Sequence, residues 1–241
     1  MYRMALAIKY QYQESNIIQF PTFNSSEPQY CTTTSKSRTN GTVDPITDLA
    51  DIQIAKDYFL NRPVRYNSAK NNIRDYTLFV VGINCARRIG DIVKFKVSDF
   101  FNQDGTWKEH FSIKEQKTNK QIKIKINTAI KDAISMQLIA LKNYTSDTYI
   151  FPSRDGTNIP IETRSVHRIM KEMARATGLD KKYNIGTHSL RKTWARHYYI
   201  KHPTEIVKIQ KALNHSSPEV TLSYIGITQD ELDEMFDDNV L

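Results

Sequence analysis

The sequence predicts a mainly α-helical protein with one small antiparallel β-sheet, an α+β fold. Three observations predict it. Apolar residues recur at spacings of three and four through most of residues 44–227. Strict alternation of apolar and polar residues is confined to residues 107–127. A chain of 241 residues with 39% apolar side chains is also long enough to bury a core in one large or two small domains.

Residues 1–43 are expected to form a polar tail or arm. They are rich in Ser, Thr, Asn, Gln and Tyr, show no helical periodicity and are interrupted by Pro21 and Pro28. The segment is too short and too polar for a helical domain of its own. The folded domain is therefore expected at residues 44–227, and an acidic helix is expected at residues 228–241.

The first helix is expected to begin at a cap formed by Asp44-Pro45 or Thr47 and to end at about Leu60, before Arg62-Pro63. A second helix is expected from about Ser68 to Ala86. Its buried face is marked by apolar residues at helical spacing, namely Tyr76, Phe79, Val80 and Ile83.

Residues 107–127 are expected to form the sheet as a single β-hairpin. Apolar and polar residues alternate along two short runs, Phe111 to Ile113 and Ile122 to Ile126. The segment between them, Lys117-Thr118-Asn119-Lys120, has the composition of a turn. Lys117 is therefore expected at the start of an exposed loop.

The remainder of the chain is expected to be helical. One amphipathic stripe consists of Ile130, Ala133, Ile134, Leu138 and Leu141. Another, on a helix from about Thr163 to Thr177, consists of Val166, Ile169, Met170 and Met173, which we interpret as core and not as a cofactor site. Short helices are then expected, separated at His188, Pro203, Asn214, Pro218 and Thr228.

Several classes of protein are excluded by composition and spacing. No two of the eight glycines lie closer than eight positions, which forbids the usual nucleotide-binding loops and the GxSxG hydrolase elbow. Neither HExxH nor CxxC occurs, so no metal site and no cofactor are expected. Cys31 and Cys85 are the only possible cysteine pair in a long chain, which excludes a disulfide scaffold.

The formal net charge of +8 favours a polyanionic partner, and nucleic acid is the first candidate. The longest uncharged apolar stretch, residues 78–83, is far shorter than the roughly 18 residues that a membrane span requires. The first residues lack the small-residue cleavage site of a secretory signal. We therefore expect a cytoplasmic protein that does not contact membranes.

Two fragments of the C-terminal third carry residues suited to phosphate chemistry. They are His188-Ser189-Leu190-Arg191 and NHSSPEVTLSY, in which His215 precedes Tyr224 by nine residues. Each fragment alone is weak evidence, because a single such residue is more often a cap, a solvated charge or a half-buried aromatic. Taken with Arg88 and Lys117, however, the six residue types suit one reaction, the transesterification of a phosphodiester.

Two arginines and two histidines suit the phosphate itself. Arg88 and Arg191 can hold the non-bridging oxygens bidentately, which lysine cannot do. His188 and His215 can donate hydrogen bonds or move a proton near neutral pH.

The two remaining residues suit the bonds that form and break. Tyr224 can supply an oxygen nucleophile, and its ordinary pKa of about 10 means that a dense cationic pocket is expected to make the phenolate accessible. Lys117, at the hairpin tip, can protonate the departing 5′ oxygen.

The chain resembles the tyrosine recombinases, also called the phage integrase family, over about residues 45–230. In that family a first box reads Gly-Leu-Arg-x-x-Glu-Leu and a hairpin carries a lysine. A second box reads His-x-Leu-Arg, and a third reads Leu-Gly-His with a tyrosine nine residues after the histidine. Residues 86–92 match the first box, with Arg88 and not Arg87 at the arginine, because only this register aligns Asp91 with the glutamate.

The other boxes follow in the family's order. Lys117 matches the hairpin lysine, with Lys120 as the alternative if the register slips. Residues 188–191 match the second box, and residues 213–215 with Tyr224 match the third. Asn214 replaces the family's glycine, and asparagine is the next best residue for a left-handed helix cap.

The resemblance implies a fold like the tyrosine recombinase catalytic domain and a site-specific recombinase or integrase. Such an enzyme cuts and rejoins DNA through a 3′-phosphotyrosyl intermediate, without metal or nucleotide. Double-stranded DNA is the implied partner, with a homo-tetramer on paired sites and accessory DNA-bending or directionality proteins. Two alternatives stay open, a type IB topoisomerase-like enzyme that reseals the same strand and a non-catalytic DNA-binding accessory protein.

Further DNA contacts are implied by the same resemblance. The helix from about Thr163 would approach the major groove with its N-terminal end, so that Arg164, Ser165 and Arg168 are candidate contacts; a solvated helix face is the alternative. Lys120 would meet a phosphate or face water. The acidic segment 228–241 would dock on a neighbouring protomer, with docking on its own chain as the alternative.

Overall fold

The computed structural model describes residues 42–63, 69–115, 121–154 and 158–227, together with residues 233, 236–238 and 240. In chain order the elements are α1 Leu49–Asn61, α2 Ala69–Cys85, α3 Ile89–Ile92, α4 Val97–Phe100, β1 His110–Lys114, β2 Gln121–Lys125, α5 Thr128–Leu141, α6 Thr163–Thr177, α7 Thr187–Lys201, α8 Ile206–Leu213 and α9 Pro218–Ile225. The described residues thus form a mostly helical fold with one two-stranded antiparallel sheet, and the predicted fold class is confirmed.

Helix α1 begins later than the sequence predicts. Its cap is Asp48, whose carboxylate accepts a hydrogen bond from the Ala50 amide at 2.8 Å. The carboxylate of Asp44 instead accepts a hydrogen bond from the Asn184 amide at 2.8 Å, and so ties the chain before α1 to the segment before α7. The predicted end is confirmed, because α1 stops at Asn61, before Arg62-Pro63.

The hairpin lies where the alternating pattern predicts it. Phe111 pairs with Ile124 and Ile113 with Ile122, so that the apolar residues of both strands share one face. Phe111 is 1% exposed and packs against the rings of Phe95 and Phe100, with centroids 5.0 and 4.9 Å away. This packing fixes the root of the hairpin on the main core, while the predicted tip at residues 117–120 lies outside the described residues.

The helices predicted from apolar periodicity are confirmed. Helix α2 buries Phe79 and Val80, and α6 has the predicted bounds, Thr163–Thr177. Periodicity did not reveal α3 and α4, because each has four residues and barely completes one turn. His188 also differs from its prediction, since it lies in the first turn of α7 and not between helices.

A second apolar cluster lies beneath the three C-terminal helices. Its buried members are Ala86, Ala195, Ile209, Leu213 and Ile225. Because Ile225 is 0% exposed, the last turn of α9 is anchored next to Tyr224. No helix within the described ranges is long and apolar enough to cross a membrane.

Helices α2 and α7 pack closely at Gly82. A Cβ atom at this position would lie 2.6 Å from Cδ1 and 3.2 Å from Cβ of Leu190, which is 1% exposed. We predict that Gly82→Val lowers the free energy of unfolding by about 1–3 kcal/mol, because the core must shift to admit the branched side chain. Urea unfolding measures this, with Gly178→Asn as the control, since no atom lies within 4 Å of a Cβ there and asparagine tolerates its φ of +74°. Equal stability of both variants would contradict the prediction.

Candidate active site

One buried carboxylate connects the segments that carry the predicted site residues. Glu115 follows β1 directly and is 0% exposed. Its Oε1 lies 2.9 Å from Nη1 of Arg87, 3.2 Å from Nη1 of Arg88 and 3.7 Å from Nη1 of Arg191. Its Oε2 accepts a hydrogen bond from Nδ2 of Asn214 at 2.8 Å. Residues that are far apart in the sequence thus meet around this group.

Arg87 and Arg88 occupy different environments. The Arg87 side chain is 2% exposed, and its guanidinium donates to Glu115 and to the carbonyl oxygens of Cys85 and Ala212. Burial lowers the pKa of Arg87. Arg88, by contrast, is 24% exposed and stands at the start of α3. The structure therefore leaves Arg88, and not Arg87, accessible to a ligand.

Arg191 is held inside the protein by α7. The first turn of this helix is fixed by Ser189, whose Oγ accepts a hydrogen bond from the Gly186 amide at 3.0 Å. The Arg191 guanidinium donates to the carbonyl oxygen of Leu213 and is 2% exposed. Burial lowers its pKa to about 10, so that it stays charged near neutral pH. A fixed, buried cation of this kind is suited to an anionic ligand.

The turn between α8 and α9 positions His215. Asn214 ends α8 in the left-handed conformation, with φ 52°, as predicted for a residue in the place of glycine. His215 Nδ1 lies 3.2 Å from Oγ1 of Thr221, which is 0% exposed. The His215 ring meets the Tyr224 ring edge to face, with centroids 4.9 Å apart.

Tyr224 lies on α9, which Ser217 caps and Pro218 begins. The guanidinium carbon of Arg191 lies 6.0 Å, and Nζ of Lys192 5.2 Å, from the centroid of the Tyr224 ring. Burial raises the pKa of Tyr224 above its ordinary value of 10.0, and the nearby guanidiniums oppose this effect without cancelling it. The cationic pocket expected from the sequence is present, but without DNA it does not make the phenolate accessible.

A surface cavity of about 500 Å³ opens beside these residues. Arg88 and His188 line it, together with Thr163, Arg164 and His167. Thr163 and Thr187, the first residues of α6 and α7, line this space. Arg88 therefore lies between the buried carboxylate of Glu115 and an open cavity.

The structure brings together five of the six residues predicted for catalysis: Arg88, His188, Arg191, His215 and Tyr224. Lys117 and Lys120 lie outside the described residues. Of the candidate DNA contacts on α6, Arg164 borders the cavity and is exposed, Arg168 is exposed one turn further on, and Ser165 is partly buried.

Three neighbours of the site were not found from the sequence: Arg87, Glu115 and Lys192. Lys192 is 6% exposed and lies against Tyr224, and burial lowers its pKa. In the sequence, the only sign that these residues belong to the site is their position. Arg87 and Lys192 are next to predicted site residues, and Glu115 lies near the hairpin tip. Within the described residues, no cluster of three or more His, Cys, Asp or Glu side chains could hold a metal ion.

His215 is expected to make the protein less stable in acid. Burial, reinforced by Arg191 and Arg88, lowers its pKa from 6.5 to about 4. Between these values the unfolded chain binds the proton more readily than the folded one, so stability present above pH 6.5 is lost as the pH falls towards 4. We predict that His215→Gln loses less stability than the native chain between about pH 7 and about pH 5, as measured by urea unfolding. His202→Gln, an exposed control, should behave like the native chain, and a His215→Gln variant that also does so would contradict the prediction.

The family model described as "Phage integrase family" matches residues 60–231. The chain is 40% identical over 188 residues to the probable integrase/recombinase YoeC of Bacillus subtilis, covering 78% of this chain and 92% of that protein. It is 30% identical over 171 residues to the tyrosine recombinase XerC of Caldanaerobacter subterraneus, covering 70% of this chain and 45% of XerC.

Solved structures share the fold. XerH recombinase, in a post-cleavage complex with palindromic difH substrate, superposes with a TM-score of 0.63 at 20% identity, covering 84% of this chain and 55% of XerH. XerA recombinase superposes with a TM-score of 0.61 at 19% identity, covering 84% of this chain and 66% of XerA. The catalytic core of lambda integrase superposes with a TM-score of 0.51 at 16% identity, covering 71% of this chain and 91% of that core.

The chain thus spans a little over half of XerH and about two thirds of XerA, whereas it covers nearly the whole of the lambda catalytic core. The superposition confirms the predicted likeness to tyrosine recombinase catalytic domains. With a family model that matches most of the chain and a curated relative at 40% identity, this protein belongs to the phage integrase family of tyrosine recombinases.

Proposed function

We propose that this chain is a site-specific DNA recombinase that cuts and rejoins strands through a 3′-phosphotyrosyl intermediate at Tyr224. One observation carries the proposal. Nη1 of Arg88 and Nη1 of Arg191 are both buried and have no hydrogen-bond partner among the described residues, and the Arg191 guanidinium lies 6.0 Å from the Tyr224 ring centroid. Buried hydrogen-bond donors without an acceptor are costly, and a phosphodiester beside the tyrosine would supply acceptors for these two nitrogens.

Double-stranded DNA is the proposed substrate. The net charge of +8 favours it, and Arg164 and Arg168 are exposed on the first turns of α6, with Arg164 lining the cavity. The related XerH and a lambda integrase dimer were solved on DNA sites. A cytoplasmic location is part of this proposal.

The first chemical step exchanges one phosphodiester for another. The Tyr224 oxygen attacks the scissile phosphorus and gives its proton to water, a bond forms between oxygen and phosphorus, and the bond to the 5′ oxygen breaks. Arg88 and Arg191 hold the non-bridging oxygens as their charge increases, and His188 and His215 donate further hydrogen bonds. Lys117, by resemblance to the family's hairpin lysine, gives a proton to the 5′ oxygen as it departs.

The second step reverses the first with a different strand. A 5′ hydroxyl from a partner DNA gives up its proton and attacks the phosphorus, the new phosphodiester forms, the bond from phosphorus to the Tyr224 oxygen breaks, and this oxygen takes up a proton. Because the link preserves the bond energy, the exchange needs neither a nucleotide nor a metal ion in this proposal. Repetition on the second strands would give integration, excision or inversion.

The test uses nicked duplexes that carry candidate sites from the genomic DNA next to the gene. We expect a covalent complex of protein and DNA that survives a denaturing gel. Exchange between two labelled duplexes would support recombination, whereas an adduct that only reseals its own strand would indicate a topoisomerase-like enzyme. If none of the nicked duplexes forms an adduct with the native chain, the result would instead indicate a non-catalytic DNA-binding protein.

Assembly on paired sites as a homo-tetramer, with accessory DNA-bending or directionality proteins, is part of the proposal. We also propose that residues 1–43 form a polar tail or arm. The acidic segment 228–241 is proposed to dock on a neighbouring protomer. Phe236, an apolar residue of this segment, is 71% exposed. Deletion of residues 229–241 is expected to spare cleavage at a single site but to impair recombination between sites; unchanged recombination would contradict docking in trans.

A further inference from the structure

Among the described residues, Glu115 contacts side chains from three separate parts of the fold. Arg87 and Arg88 come from the link between α2 and α3, Arg191 from α7, and Asn214 from the end of α8. Glu115 itself directly follows the first strand of the hairpin and precedes the segment that carries Lys117. One side chain therefore connects the elements that carry most of the proposed catalytic residues.

The three arginines do not share this carboxylate equally. Arg87 Nη1 donates a hydrogen bond to Oε1 at 2.9 Å. Nη1 of Arg88 and of Arg191 lie 3.2 and 3.7 Å from the same oxygen, yet neither has a hydrogen-bond partner among the described residues. The attraction of Glu115 thus holds these two guanidiniums in place while the Nη1 donor of each is left unused.

The contact with Arg87 explains why Glu115 does not accept hydrogen bonds from Nη1 of Arg88 and of Arg191. Arg87 donates a hydrogen bond to the carboxylate and is itself fixed by the carbonyl oxygens of Cys85 and Ala212. Asn214 donates to the second oxygen, Oε2. With these donors in place, Glu115 reduces the repulsion among three adjacent guanidiniums without competing strongly for the donors that a phosphate needs.

We infer that Glu115 is a positioning residue of the proposed recombinase, which holds Arg88 and Arg191 ready for the scissile phosphate, with Arg87 as its saturating partner. The inference rests on the proposed function, since it assigns to Glu115 an effect exerted through the two phosphate-binding arginines. Glu115 does not touch the substrate in this account.

The test compares Glu115→Gln with Glu109→Gln. Both variants remove one negative charge from the same hairpin, but Glu109 is 74% exposed and contacts His110 only at 3.8 Å. We expect Glu115→Gln to slow single-turnover adduct formation about 30-fold or more, because a displacement of about 1 Å in a reacting group can cost up to 10²-fold. Non-covalent DNA binding in a gel-shift assay should change by less than about threefold in either variant, since the phosphate contacts that dominate affinity are kept.

A second substrate separates an effect through the arginines from a general loss of structure. A methylphosphonate at the scissile position has no negative charge for the guanidiniums to bind, so the defect of Glu115→Gln should shrink to less than about fivefold on it. An undiminished defect on this substrate would overturn the inference. So would equal adduct rates for Glu115→Gln and Glu109→Gln on the natural phosphodiester.

Crystal structures of the native chain and of Glu115→Gln provide a readout that does not depend on finding the DNA site. A shift of about 1 Å in the guanidinium of Arg88 or Arg191 is expected, and unchanged positions would overturn the inference. If the native chain forms no adduct, the proposed function fails, while this comparison still decides whether Glu115 positions the arginines.

If Glu115→Gln does not fold, Arg87→Leu replaces it, because leucine stands at this position in the family's first box. Without its partner, Glu115 should form hydrogen bonds with Arg88 or Arg191 and slow adduct formation about tenfold on the phosphodiester, again with a smaller defect on the methylphosphonate. An unaffected Arg87→Leu variant would overturn the inference.

Discussion

Replacement of Tyr224 by phenylalanine is expected to abolish the covalent adduct, with a loss of at least about 10⁴-fold in the rate of its formation. The variant lacks the attacking oxygen but keeps the ring. Its edge-to-face contact with His215, at 4.9 Å between centroids, and the approach of Lys192, at 5.2 Å, depend on the ring alone. The melting temperature should therefore stay within about 2 °C of the native value.

The matched control is Tyr198→Phe. Tyr198 packs against the same apolar cluster, and its hydroxyl donates to Glu205 at 2.6 Å, so this variant also removes one hydroxyl from the C-terminal helices. Its adduct yield on nicked duplexes, measured on denaturing gels, should match that of the native chain. An adduct formed by Tyr224→Phe would show that another residue is the nucleophile.

The state of Tyr224 without DNA bears on how the nucleophile is activated. Burial keeps its pKa above the ordinary value although Arg191 and Arg88 act in the opposite direction. The chain without DNA therefore holds a neutral phenol beside two cations with unused hydrogen-bond donors. This arrangement favours loss of the phenolic proton during attack on the bound phosphate and not before it. The accessible phenolate expected from the sequence is thus a property of the reacting complex in our proposal.

The helices and the hairpin could be predicted because their signals are local. The apolar spacing of α6 gave its bounds, Thr163–Thr177, and the alternation on either side of residues 117–120 gave the hairpin. The predicted start of α1 was wrong because Asp44 and Asp48 are both residues that can cap a helix. Which of them does so depends on the contact of Asp44 with Asn184, which is 140 residues away in the sequence.

Site residues could be predicted where their side-chain chemistry suits a phosphate. They could not be predicted where their role depends on burial in the folded protein. Arg88 and Arg191 could be named from their types, order and resemblance to the family's boxes. Glu115 gave no signal, because a glutamate at the end of a strand is usually exposed, and here its burial depends on Arg87 and on Asn214, 99 positions away.

Replacement of Arg191 by lysine should show whether geometry or charge alone holds the phosphate. Lysine keeps the positive charge, but its single nitrogen cannot reproduce the contacts of a guanidinium that donates to the carbonyl of Leu213 and lies 3.7 Å from Glu115. We expect adduct formation to fall by about 10³-fold, which corresponds to about 4 kcal/mol of lost transition-state stabilisation, while non-covalent DNA binding changes little.

Arg196→Lys is the matched control for that change. Arg196 lies on the same helix, is 5% exposed and donates to the carbonyl oxygen of Gly226 at 3.2 Å, so the substitution tests the loss of a buried guanidinium away from the phosphate. Its single-turnover rate should stay within about threefold of the native rate. If Arg191→Lys were equally active, charge alone would hold the phosphate, and the unused guanidinium donors beside Tyr224 would need another explanation. A selective loss in Arg191→Lys would instead show that those donors act on the reacting phosphate, since both variants keep the charge of the helix.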